Sequence, residues 1–175
     1  MRLLLTEGEH KNSIRFRFLT DRRWIAGRIV TVHGRLVDVL NSEGVDVLRA
    51  EDVEVLSNGD CSAVGTRIGP AVVNVATVVL AVPVEDAEGA PGRKDPMVWV
   101  KKRPAPARLG IGPYEIAGQA YVAEGGVVPH LFSIVRDRFI PMTDATLTRL
   151  DDPTFEARLD VVLVNRTLID YVTAM

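Results

Sequence analysis

The sequence predicts a mainly β protein: two tandem homologous small β-barrels or rolls related by a pseudo-twofold, each with one short helix. Three observations carry that prediction. First, the chain repeats itself. Ile25-Ala26-Gly27 returns as Ile116-Ala117-Gly118, an offset of 91 (116 − 25) that also carries Gly34 onto Gly125, Val37 onto Val128, Leu40 onto Leu131 and Ser42 onto Ser133. After a one-residue insertion Asp52 falls on Asp144, and the first offset resumes with Asn74 on Asn165 and Val78 on Ile169. Second, β-branched residues dominate and in places alternate with polar ones, the period-2 pattern of half-buried strands. Third, clusters of Gly, Pro, Asn and Asp cut these runs at short intervals, as turns do.

The repeat divides the 175 residues into a first unit over 1–85, a linker over 86–96 and a second unit over 97–175. The linker is polar and rich in Gly and Pro, a composition that spaces domains rather than packing a core. Units this small bury little of their own surface, so the two are expected to share an interface.

Taken in order, Ile14-Arg15-Phe16-Arg17-Phe18-Leu19 alternates apolar with basic and reads as a strand. Thr20-Asp21-Arg22-Arg23 is a polar turn, and 24–32 is the return strand of a hairpin. Gly27 lies inside that strand, where glycine marks a bulge or sharp bend, and its recurrence at Gly118 predicts a shared bend. Leu36, Val39 and Leu40 fall at i, i+3 and i+4 and predict one or two helical turns. Their counterpart is 127–135, where Pro129 is tolerated only near the helix start. Residues 45–48 and 53–56 read as a second hairpin or one bent strand around the polar 49–52. Residues 139–142 and 145–148 repeat it around Thr143-Asp144. Asn58-Gly59-Asp60 is a turn. The apolar run 71–84 reads as one long closing strand buried on both faces, and 159–172 is its partner. Met97-Val98-Trp99-Val100 resumes as a strand. Pro104 and Pro106 then call for an edge position or an irregular entry.

Composition excludes some functions. A net charge of −2 leaves no global basic field to concentrate the chain on nucleic acid or membranes. The single Cys61 excludes an intrachain disulfide and a thiolate-rich zinc site. The apolar start at 3–5 is too short for a signal peptide, and no apolar stretch approaches the roughly 18 residues that span a bilayer. A cytoplasmic location without membrane contact is expected.

The unit resembles the Sm-like and SH3-like small barrels. The resemblance rests on Trp24-Ile25-Ala26-Gly27-Arg28-Ile29-Val30, a bent strand with a central glycine, and on the strand-rich order around it. It departs from the Sm-like pattern in placing its helix after the second strand, and the RNA-binding loop signatures of that family are absent from both halves. The recurring Ile-Ala-Gly, Leu, Ser, Asp and Asn-x-x-x-Val/Ile pattern also resembles duplicated bacterial domains of unknown function. That resemblance implies a fold and no activity.

Candidate chemistry is sparse. His10, His33 and His130 have no Cys or carboxylate at ligand spacing, and His33 and His130 are not at matching repeat positions. Cys61 has no activating base placed by sequence. Asp52 and Asp144 are conceivable as a carboxylate pair, but turn residues of one repeated fold account for them. Asn74 and Asn165 are read likewise, as caps or links across the repeat interface. Gly65-Thr66-Arg67-Ile68-Gly69 and Gly110-Ile111-Gly112 lack the Gly-Lys-Ser/Thr end of a P-loop and the third glycine of a dinucleotide fingerprint. No catalytic residue, metal or cofactor is assigned.

Two basic clusters beside aromatics remain: Arg15, Arg17, Arg22, Arg23 and Trp24 in the first unit, and Lys101, Lys102 and Arg103 after Trp99 in the second. Such clusters can grip phosphates and stack bases. The expectation is a non-enzymatic interaction, scaffold or regulatory module with a protein partner, acting through a strand edge or the inter-repeat groove. The alternatives are a single-stranded nucleic-acid binder using these clusters, and an enzyme or small-ligand binder with its site between the repeats. A homo-oligomer stacking through 97–100 is compatible with this reading.

Overall fold

The computed structural model describes residues 12–56, 65–84 and 102–175. The expected turn at Asn58-Gly59-Asp60, the strand at 97–100, the linker 86–96, His10, Cys61, Trp99 and Lys101 lie outside the described residues.

The first hairpin is β1 (Asn12–Thr20) and β2 (Trp24–Thr31). Alternation buries Phe16 and Phe18, whose rings stack at 3.9 Å, and turns Arg15 and Arg17 to the opposite face. Thr20 closes the turn: its hydroxyl accepts from the Arg22 and Arg23 amides and donates to the Arg23 carbonyl. Helix α1 (Leu36–Leu40) buries Leu36, Val39 and Leu40, the three residues the periodicity selects. β3 (Val47–Leu56) is one bent strand. Its polar 49–52 segment is a bulge rather than a hairpin turn: the register to the next strand shifts between Ala50 and Val53, and Asp52 sits at φ 51°.

The apolar run expected as one strand over 71–84 is two. β4 (Thr66–Asn74) ends in a 3-10 turn (Val75–Thr77), and β5 (Val78–Val84) follows. Asn74 makes the break, its side-chain oxygen accepting from Ala76 N while its carbonyl accepts from the Thr77 hydroxyl. The remaining chain runs through the same order of elements: β6 (Lys102–Ile111), β7 (Tyr114–Ala123), α2 (His130–Ser133), β8 (Phe139–Arg149), β9 (Asp152–Asn165), a 3-10 turn (Arg166–Leu168) and β10 (Tyr171–Ala174). Pro129 is the residue just before α2, where a missing N–H costs nothing. Asn165 accepts from Thr167 N as Asn74 does from Ala76 N. Residues 66–70 and 152–158, not read as strand from the sequence, extend β4 and β9.

The fold is mainly β, and among the described residues the strands form one ten-stranded antiparallel sheet in the order β10-β6-β7-β8-β9-β5-β1-β2-β3-β4. Of the two tandem barrels or rolls expected, this corrects the closed-barrel form. Closure of the first half would need β5 to meet β4. Instead β5 pairs with β1 on one side and offers its other side to β9, with Leu80 opposite Val164 and Ala81 opposite Leu163. The pseudo-twofold fails at this joint, since a twofold would also require the matching β10–β4 pair, and among the described residues these strands are the outer edges of the sheet. Pro104 and Pro106 are accommodated because β10 reaches β6 only from Ala107 to Gly110, while the Pro106 carbonyl still accepts from Met175 N.

Two clusters fill the core, and each takes residues from both halves. Trp24, Leu56 and Leu80 join Leu109, Ile116, Leu147 and Val164 in one. Phe139 and Leu163 join Phe16, Phe18, Leu36 and Val53 in the other. Asn41 adds a polar clamp, donating to the Phe139 carbonyl at 2.9 Å and accepting from its amide at 2.8 Å. No helix among the described residues is long and apolar enough to cross a membrane.

The shared bend has a steric cause. The registers of β2–β3 and β7–β8 slip across Gly27 and Gly118 respectively. A Cβ on Gly118 would lie 2.9 Å from the Thr143 carbonyl oxygen, and one on Gly27 3.1 Å from that of Glu51. Gly118→Ala is expected to destabilise by roughly 1–3 kcal/mol, the usual cost of overpacking, read as a lower urea midpoint at unchanged slope. An unchanged midpoint would show that the bulge yields freely.

Candidate functional site

The outer face of the first half carries a network of charges with defined partners. Strand pairing places Arg15 opposite Arg28, Arg17 opposite Ala26, Ala26 opposite Glu54, and Glu54 opposite Arg67. Like charges facing each other across a ladder repel, and the bulge in β3 supplies the compensation. Arg28 Nη2 lies 2.7 Å from Glu51 Oε2 and its Nε 2.8 Å from Asp52 Oδ2. Arg67 Nη2 reaches Asp52 Oδ1 at 2.8 Å. Asp52 bridges both arginines from the bulge, where it sits at positive φ, a conformation that Asp is among the few residues to adopt readily. Arg15, Arg17, Ala26, Arg28, Asp52, Glu54, Arg67 and Val84 line a concave groove of about 480 Å³ floored at Phe16 and Gly27.

Hydrogen bonds from Arg28, then from Arg67, hold the Asp52 carboxyl below the usual aspartate range, and the same Asp52 bond raises Arg28. A carboxylate with a lowered folded-state pKa adds stability above its unfolded pKa and loses it as pH falls through the folded value. The network is exposed, so the contribution is small. Asp52→Asn is accordingly expected to make the acid limb of the melting temperature shallower below about pH 4. An acid limb of unchanged slope would mean that the network contributes nothing.

The candidate basic residues do not form one site. Arg22 and Arg23 are exposed at the β1–β2 turn, Arg22 beside Asp21 at 3.3 Å. Lys102 and Arg103 open β6, which is separated from β1 by the four strands β7, β8, β9 and β5. Arg103 donates to the Gly126 carbonyl at 2.9 Å. Trp24 is buried at 1 % exposure, so its ring is not available to a base. The core claims it because its strand partner Leu19 and the neighbouring Leu56 face the same way. Among the described residues, Arg15 and Arg17 are the sequence candidates that line the groove. Arg28, Asp52 and Arg67 were legible only as a repeat difference, a shared turn residue and a member of a glycine-bounded segment.

A second concavity of about 340 Å³ lies where the two halves meet, between 40–46 and 136–138. Four of its polar side chains have structural partners. Asn41 holds Phe139, Ser42 donates to the Asp38 carbonyl and lies 3.2 Å from His33 Nε2, and Arg138 lies 3.8 Å from Asp46. His130 accepts from the Val127 amide in its own loop. Among the described residues no group of three or more His, Cys, Asp or Glu could hold a metal ion. No family model matches the chain, and neither the curated proteins nor the solved structures contain a match to it.

Proposed function

We propose that the chain is a non-enzymatic interaction module: two diverged copies of one small β unit, of which the first carries the binding face. The observation that supports this reading most is the contrast between matching positions. Phe16 opposite Gly27 matches Ala107 opposite Gly118, so Arg15 and Arg28 of the groove correspond to Pro106 and Gln119. Arg17 and Arg67 keep arginine counterparts, Arg108 opposite Ala117 and Arg158 opposite Thr146, so the copies differ at Arg15 and Arg28. Arg28 is the arginine that Glu51 and Asp52 hold. The full four-arginine lining belongs to the first copy, as expected when one copy binds and the other packs.

The chemistry suits a protein segment bearing acidic side chains. Guanidinium groups pair with carboxylates in a planar, two-point geometry. Asp52 holds Arg28 and Arg67 in fixed positions, which lowers the ordering cost of binding. A single-stranded nucleic acid is less well served, with Trp24 buried and the net charge negative.

Affinity capture from the native cell, using the wild-type chain and its Arg15→Glu/Arg17→Glu variant, tests this. The purified captured protein is expected to bind about tenfold or more weakly to the variant, and more weakly as salt rises. Equal binding by both forms overturns the assignment of the groove. Salt-sensitive binding of labelled single-stranded oligonucleotides, lost in the same variant, would give the face to nucleic acid instead.

A further inference from the structure

The joint inside the sheet pairs unlike strands. The two halves have matching strand orders, β4-β3-β2-β1-β5 and β9-β8-β7-β6-β10. The joint takes β5 from the first and β9, the counterpart of β4, from the second. The counterparts left over are β4 and β10, which are the two outer edges among the described residues. A joint between unlike surfaces leaves one copy of each surface unused, and such contacts propagate to rings or filaments.

Burial follows the same logic. Phe139, Leu163 and Asn165 are buried at the joint. The pairs Phe139↔Asn165 and Val47↔Asn74 fix their counterparts as Val47, Val72 and Asn74. Val47 is 58 % and Val72 64 % exposed, and Asn74 is exposed as well. At the far end Tyr171, the counterpart of Leu80, is 44 % exposed where Leu80 is 0 %. The backbone agrees. Val75 N donates to Asp46 O and Met175 N to Pro106 O. Two-residue alternation therefore turns the amides of Val72 and Val172 away from β3 and β6, toward open edge. These two residues match Leu163 and Ala81, which face each other in the internal joint. Pro70 lacks an N–H on the same side of β4, which confines pairing to the stretch near Asn74.

We propose that β10 of one molecule pairs antiparallel with β4 of a second copy of the same chain, Val172 opposite Val72. The Asn74 side-chain amide then donates to the Ile169 carbonyl, repeating the bond from Asn165 Nδ2 to Val78 O at 2.8 Å. The position matching Asn41 is Phe132, so this joint lacks the Asn41 clamp and is weaker than the internal one. The assembly uses the sheet edges and is independent of the groove proposed above.

Light scattering and sedimentation of the full chain test it. Wild type is expected above the 19.2 kDa of one chain, as a discrete ring or a concentration-dependent series. Val72→Pro and Val172→Pro each remove one outward amide and are each expected to be monomeric. Mixed, they retain one good β10 and one good β4 and are expected to form a 1:1 complex. Asn74→Asp keeps the acceptor for Ala76 N and removes the donor, so assembly is expected to weaken by about tenfold, while the melting temperature of the dilute monomer stays unchanged. A wild-type monomer at every concentration overturns the proposal, whether another segment of the chain or a different protein holds the edge. So does a mixture that stays monomeric, or a proline variant that assembles like wild type. If a proline variant unfolds, Asn74→Asp decides alone, and an unweakened assembly counts against the proposal.

Discussion

Trp24→Ala is expected to cost about 3–5 kcal/mol, the range for truncating a large buried aromatic, and to destabilise both halves of the sheet at once. Trp24 starts β2 in the first half but belongs to the cluster that holds Leu109, Ile116, Leu147 and Val164 of the second. The other cluster returns the relation, with Phe139 and Leu163 among first-half residues. Removing the indole therefore opens a cavity whose walls come from both halves. Urea unfolding followed by circular dichroism and by tyrosine fluorescence is expected to show one coincident transition shifted to lower urea. Two separated transitions, or a loss below about 1 kcal/mol, would show that the cores do not share this side chain.

Asn165→Ala is expected to destabilise by roughly 2–4 kcal/mol, because it strands buried polar groups as well as removing bonds. Asn165 has 0 % exposure. Its Nδ2 donates to the Val78 carbonyl across the joint, and its Oδ1 accepts from the amide and hydroxyl of Thr167. Asn74 has the same place in its own half and the same capping role, but is exposed. Asn74→Ala leaves water to satisfy the freed groups and is expected to cost roughly 0.5–1 kcal/mol. Comparing the two midpoints at a dilution where the chain is monomeric separates the cap, common to both, from the internal joint, present at one. Equal losses would mean that the Val78 bond adds nothing.

The contrast between these two asparagines marks how far the sequence could be followed. The offset of 91 aligns them, and both break an apolar run by capping a 3-10 turn. Which one is buried depends on whether another strand lies beside it, and no residue type encodes that. The groove behaves similarly. Arg15 and Arg17 are outward by alternation alone, yet Asp52 joins Arg28 and Arg67 only because β2, β3 and β4 lie side by side at a bulge. Trp24 was placed with the arginines by adjacency in sequence, whereas strand alternation and neighbouring leucines draw it into the core.

What the sequence determined by itself is local: the β-rich character, the hairpin over β1 and β2, the apolar stripe of α1, and the bend at Gly27 and Gly118. Each follows from periodicity or from a steric demand that one residue meets. What only the tertiary structure decided is which edge meets which, and with it the joining of ten strands into one open sheet and the burial of Trp24, Phe139 and Asn165. The reason is physical. Side-chain pattern selects the face a strand buries, but strands join through backbone N–H and C=O groups that almost every residue carries alike.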